Sequence, residues 1–335
     1  MFKKLRFLTD SEVIRSSVNA FIEEWYNDSN YIIAQTSGST GQVKNIQLSK
    51  KHMCISAQKT IDHFKLKKGG SSFLCLSVDT IGGKMMIVRS IINEMELLVG
   101  DIRTHSLEEI KNLEIDLAAI VPLQLAYSLE QHLETIKKIK VLLVGGGPIS
   151  KKIEEQMILN NCSAYHTYGM TETVSHVALR KIGIDNEKYY TALRDVSFST
   201  FEEKLVIHFP EIGLENLQTN DLVNLIDNQS FEFIGRADFI INSGGKKFNP
   251  EIIESLISPV INVPFFIGSV DDDLLGNRIV LFLESSVKID EGKLIDEIKN
   301  MLPEHAVPRR IVCLTQFIRT ESGKINRLET NKLII

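Results

Sequence analysis

The sequence predicts an α/β protein in two parts. A large N-terminal α/β domain, residues 1–236, precedes a small C-terminal α+β lid domain, residues 237–335. Three observations predict this. Apolar strand-like runs alternate with amphipathic helical patterns through the first two thirds, which argues for a largely parallel sheet. The last hundred residues change to strand, turn, strand, helix, strand. Between the two lies "GRADFIINSGG", where Gly235, Gly244 and Gly245 leave the backbone permissive.

The expected strands of the first part are Tyr31–Ala34, Phe73–Leu76, Leu97–Val99, Leu117–Val121, Val141–Val144, Leu205–Phe209 and Leu222–Ile226. "SLEEIKNL" and "PISKKIEEQMIL" read as helices. The second opens on Pro148 and Ser150 and spaces Ile153, Met157 and Ile158 along one face. In the second part "PEIIESLI" is a short helix after Pro250. "FFIGSV" and "RIVLFLES" are strands around the turn-rich "DDDLLGN". "EGKLIDEIKNML" is a helix with Leu294, Ile298, Met301 and Leu302 on one face, and "RRIVCLTQF" is a last strand.

Composition narrows the function. The chain has 335 residues, 43% hydrophobic and 24% charged, with a formal net charge of -5. That is ordinary for a globular protein and gives no basic footprint for nucleic acid or anionic membrane. Cys54, Cys75, Cys162 and Cys313 have no CxxC spacing, so a metal or disulfide framework is not expected. "MFKKLRFLTD" lacks the apolar stretch of a signal peptide, and no run approaches the ~20 residues of a membrane span. The expectation is a cytoplasmic protein, with a homodimer left open.

Five stretches carry chemistry. "TSGSTGQVK" offers Thr36, Ser37, Ser39 and Thr40 as hydroxyl donors, Gly38 and Gly41 for close backbone approach, and Lys44 as a cation. Its spacing is not that of the common GxxxxGK nucleotide loop. It suits a transient polyphosphate contact, and equally a polar surface turn. "VLLVGGGPIS" ends a strand in Gly145-Gly146-Gly147, where ligands bind in open α/β sheets, though glycine-rich strand ends are common. "YHTYGMTETVSHVALRKI" holds Tyr168, Gly169, Thr171, Glu172, His176 and Arg180. A carboxylate flanked by hydroxyls suits Mg²⁺, but a lone Glu172 also reads as a solvated charge and His176 as a core histidine. Asp221 before a strand, and Arg236 next to Asp238, read alone as a salt bridge or as solvated charges. "RTESGKINR" sets Lys324 and Arg327 in a loop that alone is a charged tail.

Taken in order, these stretches resemble the signature set of the adenylate-forming enzymes, the acyl- and aryl-CoA synthetases and their relatives. "TSGSTGQVK" resembles their phosphate loop, "GGGPIS" their adenine-side strand end and "YGMTET" their TE motif. "TNDLV" resembles their TGD motif, "GRADFIINSGGKKFNPEIIE" their hinge motif and "TESGKINR" their C-terminal lysine motif. The resemblance spans roughly residues 31–327. Within the family, "YGMTETVSHVALRKI" and "INSGGKKFNPEIIE" are most similar to the o-succinylbenzoate–CoA ligases of menaquinone synthesis. Departures are Val43 for a proline, Asn45 and Asn220 for glycines, and a short segment before the phosphate loop. An aromatic–histidine substrate motif is also missing, "CLSVDTIGGKMMIVRS" with Lys84 and Arg89 standing there instead.

The resemblance implies ATP, Mg²⁺ and coenzyme A as cosubstrates and cofactor, and a small carboxylic acid as partner. The acid attacks the α-phosphorus, pyrophosphate leaves, and the coenzyme A thiol then displaces AMP. The phosphate-loop residues and Lys44 would hold the β- and γ-phosphates, Glu172 the Mg²⁺ and Thr171 the α-phosphate. Gly145–Gly147, Tyr168 and Gly169 would border adenine. Asp221 would accept the ribose hydroxyls, helped by Arg236, and Lys324 would bridge carboxylate and α-phosphate. The small domain would swing about Asp238, bringing Ser243, Gly244, Gly245 and Lys246 to coenzyme A. Arg180, His176 and Lys84 are candidates for the acid's spare carboxylate, each equally readable as a core or surface residue. A ligase for another acid and a non-catalytic nucleotide-binding scaffold are the alternatives.

Overall fold

The computed structural model describes residues 2–35, 44–319 and 325–334. The phosphate-loop residues Thr36, Ser37, Gly38, Ser39, Thr40 and Gly41, and the C-terminal Lys324, therefore lie outside the described residues.

One sheet of twelve strands organises the chain as far as Arg236. Its parallel half runs, in spatial order, Leu5–Phe7, Glu96–Val99, Ser71–Leu74, Ile115–Ile120, Ile139–Val144 and Ser163–Gly169. The central strands carry apolar runs such as Val141–Val144 because both faces of the sheet are covered there. In Ser71–Leu74, Phe73 enters one core and Leu74 the other. Helices Glu12–Tyr26, Lys50–His63 and Ile81–Ile92 fill the first core, with Phe21, Ala57 and Met86. Helices Pro122–Gln131 and Lys151–Leu159 fill the second, with Leu125 and Met157.

From Ser163–Gly169 onward the sheet turns antiparallel. His176–Gly183, Tyr190–Ala192, Ser230–Arg236, Leu214–Leu225, Lys204–Phe209 and Ser197–Phe201 follow in that order. The sequence leads to the parallel half and underestimates this antiparallel half, in which Leu214–Leu225 buries Thr219, Asp221 and Val223 between more exposed neighbours while His176–Gly183 is largely buried.

A separate two-stranded ribbon pairs Tyr31–Gln35 with Asn45–Ser49, closing at Gln35 opposite Asn45. "SLEEIKNL" forms only a five-residue 3₁₀ turn, Ser106–Ile110. Its apolar Leu107, Ile110 and Leu113 recur every third residue, which matches a 3₁₀ repeat better than an α-helical face.

A second, five-stranded sheet starts at Ile241. Lys246–Phe248, Ile241–Ser243, Gly276–Glu284 and Phe265–Asp272 are antiparallel neighbours, and Arg310–Leu314 joins Gly276–Glu284 in parallel. Helices Pro250–Ile257 and Glu291–Lys299 pack Ile253, Ile257, Leu294 and Ile298 on one face. "DDDLLGN" is a turn because Asp272 accepts from the Leu274 and Leu275 amides. Only the 3₁₀ turn Ala237–Phe239 and Ile240 separate the two sheets. Asn249 ties them together, its side-chain amide donating to the Ile234 carbonyl at 3.3 Å.

Candidate active site

The site is built around the carboxyl ends of Ile139–Val144 and Ser163–Gly169. The first strand releases its chain into the glycine turn, where Gly146 takes a left-handed φ of 86°. Gly145 donates to the Ile120 carbonyl at 3.0 Å. The Gly147 carbonyl accepts from His166 Nε2 at 3.0 Å, and His166 Nδ1 accepts from the Tyr190 hydroxyl at 2.7 Å. Those partners fix the imidazole as the neutral Nε2–H tautomer. Burial holds His166 down at about 4, with the Arg180 guanidinium pushing the same way and the Gly147 carbonyl opposing. A glycine turn that would otherwise be loose is thus pinned from beneath.

Two residues further on, the Tyr168 hydroxyl donates to Asp221 Oδ2 at 2.5 Å. Its ring packs edge-on against Phe231, with centroids 5.0 Å apart. Asp221 is 6% exposed and sits directly opposite Arg236 in the antiparallel register. Arg236 Nη1 reaches Asp221 Oδ1 at 3.4 Å, and Nη2 donates to Asp238. Burial raises Asp221, while Tyr168 and Arg236 pull it down. Tyr168 is pushed well above its ordinary range by burial and by Asp221, so the proton stays on the phenol and the charge on the carboxylate.

The segment after Tyr168 is a tight turn. The Thr173 hydroxyl accepts from the Met170 amide at 2.9 Å and donates to the Ser175 carbonyl at 2.7 Å. Val174, a β-branched residue, is held at a φ of 68°. Such a conformation costs on the order of 1–3 kcal/mol and persists only where its surroundings impose it. The turn leaves Thr171 buried and Glu172 exposed. One exposed carboxylate at a strand end fits Mg²⁺, which takes one or two carboxylates and completes its shell with phosphate oxygens and water.

Beneath this turn lies a polar cluster that sequence reading did not assign. Arg89 is 2% exposed. Its guanidinium reaches Ser175 Oγ at 2.6 Å, Thr60 Oγ1 at 3.1 Å and His176 Nδ1 at 3.4 Å. None of these partners is acidic, and burial alone draws Arg89 down to about 9. His176 also meets Thr60 Oγ1, at 3.1 Å, and burial followed by Arg89 and His63 keeps it well below its usual value.

The acid-site candidates are not brought together. His176 bonds Thr60 and Arg89, on helices Lys50–His63 and Ile81–Ile92. Arg180 is committed to Glu154 of helix Lys151–Leu159 and to the Glu187 carbonyl. Lys84 lies 4.9 Å from the Phe21 ring, its ammonium disfavoured by burial while Glu24 and Asp79 oppose that.

Lys44 is exposed just before the ribbon strand Asn45–Ser49. In the small sheet, Gly244 and Gly245, at φ 56° and 75°, form a two-residue hairpin turn between Ser243 and Lys246. Positive φ at both positions is why glycines stand there, and the turn presents Lys246 to solvent.

His166 and Tyr190 had no usable sequence signal, His166 lying two residues before Tyr168 and Tyr190 in a stretch with no motif, whereas Arg89 was noted in the stretch that stands where the substrate motif is missing, without a role.

A glycine turn at a parallel strand end, a buried carboxylate between tyrosine and arginine, and an exposed carboxylate on a strained turn define a nucleotide-binding α/β enzyme. Residues 4–196 match the AMP-binding enzyme family, and the chain belongs to it. A 2-succinylbenzoate–CoA ligase of Bacillus cereus (strain Q1) is 26% identical, over 94% of this chain and 73% of the relative. An acyl-CoA synthetase (AMP-forming)/AMP-acid ligase II-like protein of Dyadobacter fermentans is 30% identical, with a TM-score of 0.63, covering 97% of this chain and 95% of that one. The O-succinylbenzoate coenzyme A synthetase of Bacillus subtilis, solved with ATP and magnesium, shares the fold at a TM-score of 0.79. It is 20% identical, over 89% of this chain and 69% of that one.

Proposed function

We propose that this chain is an AMP-forming acid–CoA ligase that adenylates o-succinylbenzoate and transfers the acyl group to coenzyme A. One observation carries the reading: Asp221 is buried between Tyr168 and Arg236, and Tyr168 shares its strand with the His166 that bonds the Gly147 carbonyl. A carboxylate with one tyrosine donor keeps lone pairs for two ribose hydroxyls, and the glycines give a flat base access to backbone. The relatives named for 2-succinylbenzoate supply the acid.

Adenylation brings a carboxylate to an anionic phosphate, so the site must neutralise charge and align the attack. Thr171 would bond the α-phosphate and Glu172 would hold Mg²⁺, which screens the phosphate charge when bound. The hydroxyl loop and Lys44 would grip the leaving pyrophosphate, and Lys324 would bridge acid and α-phosphorus as a point charge. Residues 1–236 and 237–335 would be two bodies turning about Asp238, the second carrying Ser243–Lys246 toward coenzyme A in the later step. The enzyme would work in the cytosol, where its free cysteines stay reduced. Arg89 supports an acid with a second carboxylate, since a buried guanidinium without an acidic partner would gain one.

The test is acid-dependent exchange of labelled pyrophosphate into ATP over a panel of aryl and acyl acids. Exchange is expected with o-succinylbenzoate. Exchange confined to another acid removes the substrate assignment, and silence with every acid removes the ligase.

A further inference from the structure

One residue outside every motif joins the two halves of the nucleoside site. Tyr190 opens the short strand Tyr190–Ala192 and is buried. Sheet register decides where it stands. Arg180 lies opposite His166, and Thr191 lies opposite Leu179, which sets Tyr190 level with Arg180. On its other side Tyr190 lies opposite Phe231, and their rings stack at 16° with centroids 5.4 Å apart. His166, Arg180, Tyr190 and Phe231 thus form one row across four neighbouring strands.

The hydrogen bonds along this row have a direction. A carbonyl can only accept, so the 3.0 Å contact between His166 Nε2 and the Gly147 carbonyl puts a proton on Nε2. Nδ1 of the neutral ring is then an acceptor, and the Tyr190 hydroxyl donates to it at 2.7 Å. Burial lifts the Tyr190 phenol to about 12 against the pull of Arg180, so that proton is always there to donate.

Arg180 backs the row. Its guanidinium stands 5.7 Å from the Tyr190 ring centroid and is paired with Glu154. Glu154 belongs to helix Lys151–Leu159, into which the glycine turn leads. The row therefore grips the turn at its own carbonyl and again in the helix that follows. The Tyr190 ring also reaches the ribose side. It meets the Tyr168 ring edge-on, with centroids 5.8 Å apart, and Tyr168 bonds Asp221.

We propose that Tyr190 is a positioning residue for the nucleoside, its hydroxyl orienting the imidazole that holds the Gly147 carbonyl and its ring backing the tyrosine that bonds Asp221. This rests on the nucleotide-site reading above. Without the hydroxyl, Nδ1 is a buried acceptor with no donor, which is costly. The imidazole relieves that cost by turning toward water, and turning takes Nε2 away from Gly147. The empty turn is then loose, and a nucleotide must order it on binding. Arg180, spoken for by Glu154, serves this row and not the acid.

The experiment reads nucleotide binding directly and needs no acid. Binding of ATP with Mg²⁺ to the full chain is measured by calorimetry, at a temperature where the melting curve shows each variant folded. Tyr190→Phe keeps the ring and should weaken ATP roughly five- to tenfold, the scale of one buried hydrogen bond. Tyr190→Leu also loses the ring and should bind at least about threefold more weakly again. In a His166→Leu background, where the Gly147 bond is already gone, adding Tyr190→Phe should cost less than about twofold. Proton NMR gives a second readout. The His166 Nε2 proton, identified by its absence in His166→Leu, should exchange with water faster in Tyr190→Phe than in wild type. Wild-type affinity in Tyr190→Phe, fully additive losses in the double variant, or Tyr190→Leu matching Tyr190→Phe each overturns the proposal. A merely structural tyrosine would lower the melting temperature and give that additive result. If the wild type binds no ATP, the nucleotide reading itself falls and takes this inference with it.

Discussion

The nucleoside end of the candidate site and the glycine hairpin of the small sheet are held in different ways. At the nucleoside end the polar groups form short chains of hydrogen bonds, one of them around the buried Asp221. Gly147 is held by His166, His166 by Tyr190, Tyr168 by Asp221, and Asp221 by Arg236. In the small sheet the groups stand on an exposed turn. Gly244 and Gly245 open a solvent-facing hairpin beside the exposed Lys246. Buried networks favour a single arrangement, while turns with few apolar contacts open at lower cost. A reaction in two steps with different second substrates needs both. One part must keep AMP in place, and another must exchange one set of groups for the next.

That contrast can be broken at either end. The largest effect is expected in the second part of the chain, where Lys324→Ala should slow adenylation by ~10²–10³. Thioester formation from supplied acyl-adenylate should barely change. Equal loss in both steps would mean that the two ends do not act separately.

Next is acid stability, which tests the rigidity of the nucleoside end. His166 is held at about 4, below the ordinary 6.5 of a free histidine, mainly by burial and then by Arg180. A depressed histidine binds its proton more weakly in the folded state. Its contribution is therefore present above about pH 6.5 and is lost as the pH falls toward 4. The depression corresponds to about 3 kcal/mol. His166→Gln keeps a donor for the Gly147 carbonyl and has nothing to titrate. Its melting temperature should fall less than that of wild type between pH 6.5 and 4.5, with His176 supplying the residual slope. Parallel melting curves for the two proteins would remove His166 from the account.

Asp221→Asn should follow, raising the KM for ATP by roughly 10- to 100-fold, since hydrogen bonds to a charged group are worth about 1.5–3 kcal/mol. An effect on coenzyme A KM of the same size would contradict a nucleoside role. The smallest effect concerns the hydroxyl loop. Val43→Pro should change exchange by no more than about twofold, because donors and cation rather than backbone stiffness would hold the leaving pyrophosphate. A large loss on this substitution would show that the loop needs the freedom Val43 gives.

Much of this was legible in the residues. The apolar runs of the parallel strands could be read because burial on both faces leaves no room for alternation, as in Val141–Val144. The separate character of the last hundred residues was legible from the change in period near Gly235. Asp221, Tyr168 and Arg236 were singled out from motifs, and the sheet register explains their meeting by placing Asp221 opposite Arg236. Less legible were the long antiparallel strand Leu214–Leu225, mostly polar on its exposed face, and the helix Ile81–Ile92, which is buried continuously from Met85 to Ser90 and so shows no single apolar face. His176, Arg180 and Lys84, named together for the charge they could offer a carboxylate, meet different partners: Thr60 and Arg89, Glu154, and the Phe21 ring.

By itself, then, the sequence determined the α/β class, the order of the motifs and the chemical types offered to a nucleotide. Those depend on local pattern: apolar period, turn-forming glycines, and hydroxyls beside a cation. Tertiary structure alone decided which groups became one network. Arg89 and Ser175 are 86 residues apart and Arg327 and Glu254 are 73 apart, yet each pair shares a hydrogen bond. Such pairings arise from how helices are laid against the sheet and how the chain returns after the pivot. No local period encodes that, because the energy is realised only when both partners leave water together.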